Sequence, residues 1–290
     1  MKTTFRCLLM ALLYLTSEVA SAQGIKLQPK IVGPSTHPAP DSQFGFVVAI
    51  FYSLPGGKRQ ICSGTQLTSR LVLTAGHCGC GIPKTYSVDA AQDARRGAGN
   101  RGIEGAPILF DQRVCRTGFL GEGNDLALIR LADELKPSSA LVTGYPNETV
   151  WALRSVLVKG TKLTVVGYGL TDANVIGTRQ QGVVPIQSFD CEDRRLNAFC
   201  APFVEMILAE APGPSRRNDT CGGDSGGPVF RFVGGVPRLV AVTSRAAPGT
   251  NGGSNLHCGG GGIYTLIGRK SVHQWLQANG VPGSFLSMNN

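Results

Sequence analysis

Three short blocks of the sequence hold residue types that together can do nucleophilic chemistry: Leu73-Thr74-Ala75-Gly76-His77-Cys78, Asn124-Asp125-Leu126-Ala127-Leu128 and Cys221-Gly222-Gly223-Asp224-Ser225-Gly226-Gly227-Pro228. A serine hydroxyl is a weak nucleophile until an imidazole takes its proton, and the imidazole in turn needs a carboxylate to hold one tautomer. Taken singly, each block is ordinary. A histidine beside a cysteine suits a structural role, an aspartate before an apolar run suits a turn, and a glycine-rich serine segment suits a tight loop. Their joint occurrence in this order leaves little to coincidence and points to acyl transfer.

Residues so far apart in the chain need a framework that brings them together. Between the blocks the sequence alternates short apolar runs with Gly, Pro, Asn and Ser: Phe46 to Tyr52, Leu71 to Thr74, Leu126 to Leu131, Lys162 to Gly167, Pro228 to Val233 and Leu239 to Thr243. Such runs predict strands, so the chain reads as all-β. Near the end, Val272, Trp275 and Leu276 follow helical spacing, with Ser271 as the expected N-cap and Gly280 as the stop. At 42% hydrophobic and 16% charged over 290 residues, the composition is that of a globular protein with a sizeable core.

The N-terminus carries Lys2 and Arg6, an apolar run from Cys7 to Leu15, and Ala20-Ser21-Ala22. This is the layout of a secretory signal peptide over residues 1–22. The run is broken by Thr16, Ser17 and Glu18, short of the roughly 20 apolar residues an anchor needs, so no membrane anchor is expected. Export, to an extracellular or periplasmic space, makes disulfides the default for the cysteines; losing Cys7 with the signal leaves eight, an even number. Cys78-Gly79-Cys80 is too tightly spaced for a zinc knuckle, and no second such pair follows, so no metal and no cofactor are expected. Residues 1–30 hold four positive and one negative side chain, and removing them lowers the net charge from +9 to +6. The basic residues are scattered and not interleaved with aromatics, which argues against a nucleic-acid partner.

The three blocks in this order resemble the trypsin family of serine proteases, the chymotrypsin fold, and the resemblance extends from Ile31 to about Gly280. A competing pattern is excluded by order. Gly223-Asp224-Ser225-Gly226-Gly227 also fits the G-x-S-x-G elbow of α/β-hydrolases, but there the acid and histidine follow the serine, whereas His77 and Asp125 precede it. The resemblance implies two antiparallel six-stranded β-barrels, about 31–140 and 155–268, and a C-terminal helix at about 271–279, in a peptidase domain spanning 31–290. It also carries over a triad, with Ser225 the nucleophile, His77 the general base then acid, and Asp125 orienting His77. The Gly223 and Ser225 amides would form the oxyanion hole. Residues 23–30 would be an activation propeptide cut after Lys30, whose loss frees the Ile31 α-amine to pair with Asp224 and switch on a zymogen.

The same resemblance puts Asp219 at the floor of the substrate pocket, with Thr220, Ser244, Ala246 and Gly262 around it, and so implies cleavage after Arg or Lys. The family's Ser-Trp-Gly rim reads here Ser244-Arg245-Ala246, which sets a cation where an aromatic wall is expected and narrows the mouth with the Ala246 Cβ. The loops between Cys200 and Cys221 and between Ala246 and Cys258 are long for the family. Family pairings imply Cys62–Cys78, Cys191–Cys200 and Cys221–Cys258, which leaves Cys80 with Cys115. Of the sequons at Asn147 and Asn218, only the first suits a glycan, since a sugar on Asn218 would crowd the pocket floor. Protein or peptide substrates and protein inhibitors are the expected partners of a monomer. The rival reading is a secreted binding protein that keeps the fold without catalysis.

Overall fold

The computed structural model describes residues 31–34, 36–97, 102–118, 120, 122–136, 143–144, 156–189, 191, 200–210, 218–247 and 258–283. The expected signal peptide, Lys30 and the Asn147 sequon lie outside them. β1 (His37–Pro38) and a single helical turn, α1 (Asp41–Phe44), lead into β2 (Val47–Ser53), β3 (Arg59–Thr68), β4 (Leu71–Thr74), β5 (Tyr86–Asp89), β6 (Ile103–Leu109) and β7 (Ala127–Leu131). A second short helix, α2 (Arg113–Thr117), precedes β7. Strands β2 to β7 close into an antiparallel barrel in the order β2-β3-β4-β7-β6-β5.

After β8 (Thr143–Gly144), the chain forms β9 (Lys162–Gly167), β10 (Gln180–Ser188), β11 (Glu205–Leu208), β12 (Pro228–Val233), β13 (Val236–Ala246) and β14 (Gly262–Leu266). These six close a second antiparallel barrel, β9-β10-β11-β14-β13-β12, through the β12–β9 pairing. β1 adds to the edge of β10, and β8 runs parallel to β13. The expected pair of six-stranded barrels is therefore present. Ile31 and Val32, though early in the chain, also join the second barrel: Val32 bridges Asp219, and Ile31 packs in its core.

Burial explains why the barrels sit together. The six residues of β2 from Val47 to Tyr52 are all buried, because one face points into the first barrel and the other against its neighbour. One apolar cluster joins Val47, Ile50, Leu73 and Leu128 of the first barrel to Phe230 and Val242 of the second and to Val272 and Leu276 of the closing helix. A separate cluster, with Leu163, Val184, Val229, Val240 and Leu266, fills the second barrel.

The closing helix α3 (Lys270–Ala278) starts one residue before the expected range and is capped at Arg269, not Ser271. Arg269 is held outside the helix by a bond to the Gly123 carbonyl and by contact with the Phe110 ring, so the first turn begins directly after it. Four disulfides form with the expected partners, Cys62–Cys78, Cys80–Cys115, Cys191–Cys200 and Cys221–Cys258. Among the described residues no helix is long and apolar enough to cross a membrane.

Candidate active site

His77 lies in a 3-10 turn, Gly76–Gly79, that follows β4, and Asp125 directly precedes Leu126 and β7. β4 and β7 are antiparallel with Thr74 opposite Ala127, so the two residues leave the first barrel side by side. The Asp125 carboxylate is fully buried. Its Oδ1 accepts the His77 backbone N–H at 2.8 Å, and its Oδ2 lies 2.9 Å from His77 Nδ1. Ser244, read from sequence only as a pocket residue, donates its hydroxyl to the same Oδ2 at 2.6 Å.

These contacts set the charges. Burial favours the neutral form of Asp125, but the His77 charge, the His77 hydrogen bonds and the Ser244 bond outweigh it and hold the carboxyl below its usual range. Burial likewise opposes protonation of the His77 ring, yet the Asp125 charge and hydrogen bond raise its proton affinity above the ordinary histidine value, with Arg245 opposing. The ring retains 26% of its side-chain surface open to solvent. The nearby sulfurs of Cys62 and Cys78 form a disulfide, so they are not thiolate metal ligands.

Ser225 approaches from the second barrel, on the loop before β12. Its carbonyl accepts the Ser63 N–H of β3 at 2.8 Å, which ties the loop across to the first barrel. Gly226 makes the approach feasible. Its φ is +81°, and a Cβ there would lie 2.0 Å from Thr74 Oγ1 and 2.3 Å from the Ser63 carbonyl oxygen. Only glycine lets the Ser225 segment lie against the strand end that delivers His77. Gly223 also has a left-handed φ of +98°. Among the described residues, neither the Gly223 nor the Ser225 N–H donates a hydrogen bond within the protein.

Two further carboxylates lie below this loop. Asp224 is fully buried; its oxygens accept the Gly169 N–H at 2.7 Å and the Cys221 N–H at 2.8 Å. Burial, reinforced by Asp219, pushes Asp224 up to about 7. Asp219 is also buried, and burial lifts it to about 6 against the amides that favour its charge. Thr220 N–H donates to one oxygen at 2.8 Å, and the Gly259 and Gly261 N–H groups donate to the other, both at 2.9 Å. Backbone amides of the glycine-rich segment before β14 thus cradle the carboxylate. Thr220 Oγ1 meets the Tyr264 hydroxyl at 3.0 Å, and Ala246 and Gly262 are directly paired across β13 and β14.

Arg245, the cation expected where the family has an aromatic wall, is clamped by Glu205, and its side chain is only 15% exposed. Glu205 was not singled out at all. Its one sequence signal is a lone acidic residue opening the otherwise apolar stretch Glu205-Met206-Ile207-Leu208. Beside Gly223, a cavity of about 520 Å³ is lined by Phe51, Arg59, Ile61, Leu170 and Ile176.

The chain matches the family model described as Trypsin over residues 34–275. It is 26% identical over 240 residues to CLIP domain-containing serine protease B4 of Anopheles gambiae, covering 76% of this chain and 64% of that protein. Human chymotrypsin-like elastase family member 1 is 26% identical over 201 residues, covering 68% and 74%. Against melanization protease 1 of Drosophila melanogaster the chain spans 51% of the relative's length, about half. Among solved structures, the scabies mite inactivated protease paralogue S-I1 superposes with a TM-score of 0.62 at 19% identity, covering 85% of this chain and 98% of that one, a likeness of fold. The Vibrio cholerae VesB protease gives 0.59 at 21% identity, covering 84% and 67%. The order of the three blocks, the paired barrels and the match across most of its length make this chain a member of the trypsin family.

Proposed function

We propose that the chain is a secreted serine endopeptidase that cleaves after Arg or Lys and is made as a zymogen activated after Lys30. The observation that carries the reading is the buried Asp125 bonded to both the ring and the backbone of His77, with Ser225 held against the same strand end through Ser63. In the reaction, His77 takes the Ser225 Oγ proton as the oxygen attacks the scissile carbonyl. The oxyanion of the tetrahedral intermediate is bound by the unpaired Gly223 and Ser225 amides. His77 then gives its proton to the leaving amine, and the C–N bond breaks to leave an acyl-enzyme. Water, deprotonated by His77, repeats the sequence and releases Ser225.

Asp219 supports the preference for basic residues. A carboxylate that burial makes costly to ionise gains most from a substrate guanidinium or ammonium entering beside it. Activation follows from Asp224, which in the unbroken chain is met by two backbone amides. Cleavage after Lys30 would supply the missing cation, because Ile31 is already buried on the second barrel. The signal-like residues 1–22 and the four disulfides support export.

The test is a library of peptides varied at the residue before the cut, assayed with protein whose N-terminus is Ile31 by intact mass. Arg and Lys should dominate, and Ser225→Ala should abolish turnover. A preference for Phe or Leu would remove Asp219 from the pocket floor. Full activity with Gln23 still at the N-terminus would remove the switch.

A further inference from the structure

Glu205 is fully buried, yet every interaction its carboxylate needs is in place. Oε1 accepts the Gly123 N–H at 3.3 Å and Arg245 Nη1 at 2.9 Å; Oε2 accepts the Ala201 N–H and Arg245 Nη2, both at 2.8 Å. Arg245 reaches beyond this pair. Its Nη1 lies 3.1 Å from the Leu120 carbonyl oxygen and 3.1 Å from Ser244 Oγ. Ser244 Oγ in turn donates to Asp125 Oδ2 at 2.6 Å. A continuous chain therefore runs from Glu205 through Arg245 and Ser244 to Asp125 and His77.

The same pair grips the backbone that delivers Asp125. Leu120 and Gly123 belong to the loop just before it, and Arg269 at the start of α3 bonds the Gly123 carbonyl from the other side. Because the Arg245 hydroxyl contact leaves Ser244 as donor only toward Asp125, the rotor of that hydroxyl is fixed.

We propose that the Arg245–Glu205 pair is a positioning device for the triad proposed above, holding the Ser244 hydroxyl and the Leu120 and Gly123 backbone ahead of Asp125 so that Asp125 meets His77 in one geometry. The proposal rests on that reading of the site. Four charged or titratable groups surround the His77 ring: Asp125 from the loop before β7, Arg245 from β13, Glu205 behind it on β11, and Tyr52 from β2, whose phenol is raised by burial and then by Asp125. Arg245 is the cation among them that opposes protonation of His77.

The experiment titrates the His77 ring by NMR in the full Ile31-terminated chain carrying Ser225→Ala, with and without Arg245→Met, and measures kcat and KM in the Ser225 form. Losing the cation removes the charge that opposes protonation of the ring. The ring should then titrate higher than in the parent. A ring that does not move, with kcat and KM both within about twofold of the parent, overturns the proposal.

Should Arg245→Met not fold, the charge-neutral pair Arg245→Met with Glu205→Gln decides. A hydrogen bond to a charged group is worth enough that kcat should fall on the order of tenfold with KM within about twofold. A kcat retained within about twofold overturns the proposal. A parent that folds and titrates as described but hydrolyses no peptide refutes the protease reading alone, because the ring titration needs no turnover.

Discussion

Replacing Gly226 by alanine perturbs the contact on which the position of Ser225 depends. The new Cβ would stand 2.3 Å from the Ser63 carbonyl oxygen, 2.8 Å from the Ala75 nitrogen and 2.0 Å from Thr74 Oγ1, at a backbone φ of +81°. The first two neighbours are backbone and cannot swing aside. A left-handed φ costs a Cβ-bearing residue roughly 1–2 kcal/mol, and forcing atoms into a packed site adds about 1–3 kcal/mol. A destabilisation of about 2–5 kcal/mol follows, which for a domain of this size lowers the melting temperature by roughly 5–15 °C. Relief comes only by moving the Ser225 loop away from β3 and β4, and a shift near 1 Å costs on the order of 100-fold in rate. Gly222→Ala is the matched control, since a Cβ there meets nothing within 4 Å, and its stability should stay within about 0.5 kcal/mol of the parent. Thermal melts and kcat on a basic peptide substrate check both. A Gly226→Ala protein that melts and turns over like Gly222→Ala would show that the Ser225 loop has room for the added Cβ.

Three further outcomes follow. With His77 more readily protonated than an ordinary histidine, kcat/KM should fall as pH drops through that raised value, because the base must be neutral; Asp125→Asn removes the cause, so its acid limb should move to lower pH and its kcat should drop by orders of magnitude with KM little changed. In the uncleaved chain Asp224 binds its proton more tightly folded than unfolded, so stability should decline as pH rises from the ordinary carboxylate value to about 7. Cleavage after Lys30 should remove the Asp224 part and leave only the shallower decline that Asp219 contributes up to about 6, as read by urea midpoints of both forms across this range; parallel profiles would rule out the ammonium partner. Asp219→Ser should cost cleavage after Arg at least about 100-fold in kcat/KM and spare the rate of serine labelling.

What was legible in the sequence was whatever a short run of residues encodes by itself. The uninterrupted apolar stretch of β2 and the runs that became β4, β9 and β12 are read directly, because burial imposes their pattern. β10 was not read as a strand: Gly182 and Pro185 interrupt Gln180–Ser188, although its alternating burial is plain once both neighbours are in place. The dyad was legible because each partner carries its own local motif. The Asp219 cradle was not, since its donors Gly259 and Gly261 lie about forty residues away and act through backbone amides that any residue possesses. Glu205 and Arg245 are likewise forty residues apart, and each looks like a surface charge until β11 and β13 carry them to the same end of the second barrel.

In the proposed mechanism His77 activates Ser225 under the control of Asp125. Treating the Ile31-terminated protein with a serine-directed phosphonylating reagent, and mapping the adduct by peptide mass, tests it most directly. One adduct per chain is expected, on the peptide containing Ser225, absent in Ser225→Ala and strongly slowed in His77→Ala. Correctly processed, folded protein that takes up no reagent, or takes it up at the same rate without the imidazole, would contradict it.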